Sequence, residues 1–546
     1  MPRILVVGLD GATFDIIRPL IARGRLPNLA RMVREGATGV LASTVPPVTP
    51  AAWTSFFTGK NPGRHGIFDF QRLDYATATF ETIRTDHHAE KTIWQLLGEA
   101  GLRSIVWDVP FTYPPKPMPA GGWMLTGYGT PPIPDAVFTY PEDLAERVPA
   151  DLQPEIRVAL PETKFDRSLA FIESFRSIMA GRRRLLEWLV RKQDWDFFCV
   201  VFSITDTMAH VFWTFLDPNH PNYRHPDGAA YREAFFEAYE TCDSILGELI
   251  DAAGRDTTTF VISDHGFGSV RPRQYIYDRL MQGGWVAPRG ARSGSARARF
   301  TRAATRAYVR FPVLREWVKG LGSDRRKALT RGLKGAGMLP TVEGIDLERS
   351  KIIPTNFGLR MWVNDTGRFP CGSVAPEQVE AVAEELVAFL KADTDPKNGR
   401  PIIREVHRGR DLYEGPYATA GPDLVIEYEN QFDFDAPPRA DNPFTEGGHT
   451  QAGVFLAAGP DIVRTAVEGV SLIDLAPTIL YLFGLEVPPD LDGRPVAEMI
   501  APEFLERHPI IAGAKPARYW EVTEKHVVSD EEEAKLLEQL RKLGYV

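Results

Sequence analysis

The sequence predicts an α/β fold: a layered sandwich with a mostly parallel central sheet and helices on both faces. Two observations carry this. Continuous apolar runs rich in Val, Ile and Phe recur along the chain: RILVVGL at 3–9, SIVWDV at 104–109, FFCVVFSIT at 197–205, TTTFVIS at 257–263 and LVIEY at 424–428. Runs of that length with no polar alternation suit strands covered on both faces. Between them lie longer amphipathic stretches, such as FDIIRPLIARGRLPNLARMVREG at 14–36, which read as helices. In open α/β sheets ligands bind beyond the carboxyl ends of strands, so the residues that follow each apolar run are the ones to read for chemistry.

At 546 residues the chain exceeds the size at which a single core stops growing. The expected divisions are a first core segment over 1–285, a basic helical insertion or cap over 286–350, a second core segment over 351–500, and a C-terminal extension with an amphipathic helix over 501–546. An apolar content of 44% and a charged content of 25% place the chain among globular proteins. The net charge of −9 argues against a nucleic-acid polymer as partner and leaves room for local basic patches. Three distant cysteines, Cys199, Cys242 and Cys371, form no CxxC pair, so neither a disulfide framework nor a cysteine zinc site is expected. A cytoplasmic location is the expectation that follows. Nothing in the sequence fixes the oligomeric state.

The first run ends at Asp10, too soon for a signal sequence, and reads as a buried strand. No later stretch approaches the roughly 18 apolar residues of a spanning helix. The next notable segment, VPPVTPAAWTSFFTGKNPGRHGI at 45–67, is dense in turn and cap residues and in hydroxyls. Pro50 suits the first turn of a helix beginning at Thr49, and a helix N-terminus there would favour a phosphate. Further on, the run at 197–205 ends in Asp206, with His210 four residues later, and the run at 257–263 ends in Asp264 and His265. His449 follows paired glycines and precedes another apolar run. Three aspartates and three histidines delivered to one sheet edge would bury an excess of carboxylate that cations must neutralise. Imidazole with carboxylate suits zinc, manganese or iron better than magnesium or calcium. Six ligands and a hydroxyl suffice for two metals about 4 Å apart, the arrangement that serves in-line displacement at phosphorus.

This ordered set resembles the alkaline phosphatase superfamily, in its type I phosphodiesterase/nucleotide pyrophosphatase branch, over residues 1 to about 285 and 350 to 500. The resemblance implies Thr49 as nucleophile, nine residues before Thr58-Gly59. It implies one metal held by Asp10, Thr49, Asp264 and His265, and a second held by Asp206, His210 and His449. The implied activity is a two-metal phosphohydrolase that cleaves phosphodiester or pyrophosphate bonds through a phospho-threonine intermediate. Zinc is the expected metal, ahead of manganese. A phosphomutase or phosphotransferase would use the same site, and a non-catalytic metal-binding protein is the alternative of another class. One position departs from the family: where nucleotide pyrophosphatases place an asparagine after the His-Gly pair, this chain reads HGIFDF, with Asp69 and Phe70. A carboxylate there would repel a phosphoryl oxygen, so Lys60, Arg64 or an arginine of the insertion is expected to contact phosphate instead.

Between Arg289 and Lys334 stand 14 basic residues and only Glu316 and Asp324 as acids, against the acidic balance of the whole. Phe300, Ala304, Tyr308, Phe311, Leu314 and Trp317 recur at near-helical spacing, as an amphipathic cap would. Peripheral contact with an anionic membrane through 286–340 is one expectation, and with it a phosphorylated small-molecule or lipid-linked substrate. The tail SDEEEAKLLEQLRKLGYV places Ser529 as a helix N-cap with acids in the first turn, and its expected role is packing or oligomerisation.

Overall fold

The computed structural model describes residues 2–288, 345–511, 513, 534–538 and 540, apart from 76–78, 132–135, 157–168, 271–272, 356–358, 395–398 and 431–445. The basic stretch 289–344, its expected membrane contact, and Ser529 therefore lie outside the described residues.

The central sheet is built around the strand Arg3–Leu9, whose six consecutive buried residues permit helices on both sides. It pairs in parallel with Phe197–Phe202 on one side and with Thr257–Ile262 on the other. The order continues outward through Ser104–Val109, Trp123–Thr126 and Thr139–Tyr140 on the first side, and through Ala452–Ala458, Ala37–Ala42 and Thr465–Ala466 on the second. The layered α/β architecture is as expected, and the sheet is mixed: Ala452–Ala458 runs antiparallel to both its neighbours. Side-chain alternation along Arg3–Leu9 divides the core in two. Leu5, Val7 and Leu9 join the helices Phe14–Ala22, Pro27–Glu35, Leu169–Lys192 and Gly228–Ala253 on one face. Ile4 and Val6 join Thr49–Thr58, Ile93–Glu99 and Leu475–Leu482 on the other.

One apolar run belongs elsewhere. Leu424–Tyr428 was expected among the parallel strands, but it pairs antiparallel within a separate four-stranded sheet in the order Ile352–Pro354, Arg360–Val363, Leu424–Tyr428, Ile403–Arg408. Its first three residues are buried on both faces, Leu424 and Ile426 in a satellite core with the helix Val379–Lys391 and Val425 against Phe68 and Tyr413. Burial on both faces gives the same apolar run in either setting, which is why composition could not distinguish them.

Register positions the site. Leu9 lies opposite Phe202, and Gly8 opposite Ile262, so the three strands end level and release Asp10, Ser203 and Ser263 at one edge. Gly8 admits the Thr49 helix to the sheet: a Cβ there would lie 2.5 Å from the Trp53 ring.

Candidate metal centre

Asp10 leaves the central strand into a tight turn at Gly11, whose φ of +65° favours glycine and where a Cβ would lie 2.8 Å from Asp206 Oδ1. Asp206 sits in the first turn of the helix Ile204–Leu216, and His210, four residues on, lies on the same face. After Asp264 and His265 the chain enters Gly266–Val270, which pairs antiparallel with Glu446–Thr450 and sets His449 opposite Phe267. Thr49 is the first residue of the helix Thr49–Thr58, with Pro50 in its first turn.

These elements bring the predicted ligands together in two groups that share a carboxylate: Asp206, His210 and His449 in one, Asp10, Asp206 and His265 in the other. In the first, His210 Nε2 and His449 Nε2 are 2.9 Å apart and lie 3.4 and 3.3 Å from Asp206 Oδ1. In the second, His265 Nε2 is 3.7 Å from Asp10 Oδ1, 3.3 Å from Asp264 Oδ2 and 3.2 Å from Thr49 Oγ1. Two of the remaining ring nitrogens are anchored, His449 Nδ1 to the Pro47 carbonyl at 2.9 Å and His265 Nδ1 to that of Gly266 at 3.0 Å. Backbone carbonyls in that position fix the tautomer that presents Nε2 to a metal.

The donor set fits divalent cations. Asp10 Oδ1 and Asp264 Oδ2 are buried and accept no hydrogen bond among the described residues. Burial, then the Asp206 charge, pushes the Asp10 carboxyl well above the usual range. Burial, then the Asp10 and Asp206 charges, does the same to Asp264. Burial also opposes ionisation of Asp206, but the His210 charge and the hydrogen bonds of His210 and His449 outweigh it and hold that carboxyl well below the usual range. The His265 and His449 imidazoles are pushed down chiefly by burial and stay neutral at pH 7, the state that ligates metal. Three carboxylates crowded around neutral imidazoles are the environment that two cations would relieve.

Two expected phosphate contacts are not brought to this centre. The ten-residue helix after Thr49 carries the chain about 15 Å away before Lys60. There Lys60 is buried against Glu90 and lies 2.8 Å from Asp490, while Arg64 pairs with Asp492 at 2.6 Å. His65 is part of the packed interior: its Nε2 meets Ser55 Oγ at 3.0 Å and burial holds its pKa at about 3. Asp69 faces Arg360 of the four-stranded sheet, a fully buried guanidinium that also donates to the Phe68 carbonyl at 3.2 Å, and its Oδ1 accepts from the Phe70 amide at 2.6 Å. Its charge is thus neutralised within the protein. Removing one partner of such a pair leaves the other buried and uncompensated. Arg360→Met is accordingly expected to lower stability by about 3–5 kcal/mol, read as a shifted urea midpoint, with Asp69→Asn in the same chain recovering part of it.

Sequence reasoning missed Trp53 and Thr205. Trp53 Nε1 donates to Asp10 Oδ2 at 3.0 Å, and Thr205 Oγ1 to the Asp10 carbonyl at 2.5 Å. Trp53 stands four residues after Thr49, so helical spacing places both on one face; for Thr205 only its place beside Asp206 was a signal.

Comparison with known proteins bears on this geometry. The family model described as type I phosphodiesterase / nucleotide pyrophosphatase matches residues 4–451. A 2,3-bisphosphoglycerate-independent phosphoglycerate mutase of Rhodopirellula baltica is 42% identical over 62 residues, which span 10% of this chain and 11% of that protein. Among solved structures, the alkaline phosphatase PafA superposes with a TM-score of 0.50 at 13% identity, covering 92% of this chain and all of the other, a likeness of fold. An inactive variant of murine ectonucleotide pyrophosphatase/phosphodiesterase 5, in complex with AMP, gives 0.49 at 12% identity, covering 92% and 100%. The expected cytoplasmic location is withdrawn here, because it rested on cysteine usage alone and three free cysteines, two of them buried, do not mark a reducing compartment. No helix among the described residues is long and apolar enough to cross a membrane.

Proposed function

Because the chain belongs to the type I phosphodiesterase/nucleotide pyrophosphatase family, we propose that it hydrolyses phosphodiester or pyrophosphate bonds of small phosphorylated substrates through a covalent phospho-threonine at Thr49. The observation that carries this reading is the meeting of Thr49 Oγ1 with His265 Nε2 at 3.2 Å, beside both ligand groups. Asp10, Asp264 and His265 with Thr49 would hold one divalent cation, and Asp206, His210 and His449 the other. Bound there, the two cations supply the positive charge that an in-line displacement at phosphorus requires. Zinc suits three imidazoles among carboxylates, with manganese second.

The chain's own residues do the rest. Thr49 Oγ1 attacks phosphorus and the bond to the leaving oxygen breaks, so that the released alcohol carries off the threonine proton and Thr49 keeps the phosphoryl group with its remaining ester. Water then cleaves the threonine ester and returns the hydroxyl. The first turn of the Thr49 helix directs its amide dipoles toward the phosphoryl group. Val48 precedes the helix in extended conformation, and the Pro47 carbonyl fixes His449, so one loop orients nucleophile and ligand together.

With metal restored after chelation, the protein is expected to release p-nitrophenol faster from bis-p-nitrophenyl phosphate than from p-nitrophenyl phosphate. The reverse order would make it a monoesterase, and no release from either would end the hydrolase reading. The mutase match favours one second reading, transfer from Thr49 to an alcohol. With p-nitrophenyl phosphate as donor, glycerol phosphate formed at the expense of inorganic phosphate in glycerol-containing buffer would support it.

A further inference from the structure

The cleft that opens on His210 and His449 has a volume of about 290 Å³ and lies between the helix Phe14–Ala22 and the four-stranded sheet. Phe14, Val40, Phe70 and Ile426 give it an apolar middle. Its two cationic lining groups differ. Arg404 Nη1 is held by Glu427 Oε1 at 3.0 Å, and the other oxygen of that carboxylate meets His407 at 3.2 Å. Arg18 instead lays its guanidinium over the Phe14 ring, 4.6 Å from the centroid, and has no carboxylate of the described residues within ion-pair distance, although Asp15 lines the same cleft. Arg18 also lines a second hollow, together with Arg464, another guanidinium that takes part in no ion pair among the described residues.

A guanidinium held by an aromatic face and not spent on a carboxylate keeps its donors for a ligand. Resting on the phosphodiesterase reading, we propose that Arg18 is a specificity residue: the substrate bears, beyond an apolar group that fills the cleft, a second anionic group that Arg18 binds while the phosphoryl group sits at the metal centre. A carboxylate and a phosphate would present the same oxygen fork to it.

The test compares two synthetic diesters, 4-nitrophenyl phenyl phosphate and 4-nitrophenyl 4-carboxyphenyl phosphate, which differ only in the remote charge. The metal-loaded protein is expected to favour the carboxylated diester in kcat/KM by up to about fivefold, the upper end for one exposed ion pair, through a lower KM. Arg18→Gln should bring the ratio to about one, Arg18→Lys should restore part of it, and added salt should erode it in the wild type. A wild-type ratio of one or below, or a preference that survives in Arg18→Gln, overturns the subsite while cleavage of both diesters keeps the phosphodiesterase reading. Cleavage of neither ends both.

Discussion

Thr49→Ala is expected to lower diester turnover by about 10⁴-fold or more, the scale seen when a covalent nucleophile is removed. The position leaves little room for a substitute. Thr49 is the first residue of its helix, 2% exposed, with its hydroxyl against His265 Nε2. Two other hydroxyls of the helix, on Ser55 and Thr58, have different partners: Ser55 reaches His65 and Thr58 returns to the Thr54 carbonyl at 2.6 Å. The variant should fold, since the loss is one hydrogen bond, about 1 kcal/mol, and one buried methyl group, about as much again. Its metal content should fall far less than its rate. Thr49→Ser should recover a measurable fraction, because the oxygen returns without its β-branch. Acid-quenched wild type should carry on Thr49 the phosphoryl group with its remaining ester substituent, and the alanine variant should carry none. Turnover in Thr49→Ala within tenfold of wild type would remove the nucleophile assignment.

The candidate ligands were legible because each follows a feature that sequence displays. Asp10, Asp206 and Asp264 close apolar runs, His210 and His265 come at short fixed spacing after them, and His449 is marked by its paired glycines. That they converge is a matter of register, Leu9 beside Phe202 and Gly8 beside Ile262, which no local pattern encodes. The same gap explains the misplacements. Lys60 and Arg64 are near Thr49 in sequence, but a helix between them converts nearness into separation. The partner that neutralises Asp69 is Arg360, almost three hundred residues away, and Leu424–Tyr428 looks like a parallel strand because its satellite core buries both faces. Arg18 is one of many arginines until the fold sets it on Phe14 at the edge of the cleft.

Asp206→Asn should disturb the centre more than His449→Ala, because Asp206 belongs to both ligand groups and His449 to one. Loss of a cation's charge stabilisation, several kcal/mol, corresponds to a fall of roughly 10³-fold in turnover. Elemental analysis should find His449→Ala short of one metal and Asp206→Asn short of both. Stability should report the same hierarchy with pH. In the metal-free protein Asp10 and Asp264 hold their protons more tightly folded than unfolded, so their contribution to stability is complete below the unfolded carboxylate pKa and is lost as pH rises through the raised folded values. Asp206, held well below the usual range, has the opposite sign: its contribution is present above the unfolded value and is lost only as pH falls through its lower folded pKa. Metal requires the ionised carboxylates, so binding strengthens as pH rises while the metal-free fold weakens. The gap in Tm between metal-loaded and chelated protein should therefore widen from pH 5 to pH 8, each site filled at 100 times its Kd adding about 2.7 kcal/mol. In Asp206→Asn the Asp10 and Asp264 carboxyls lose the charge that helped raise them, and the gap should nearly close at every pH. A chelator that leaves Tm unchanged from pH 5 to pH 8 in the wild type would show that these carboxylates and imidazoles hold no metal.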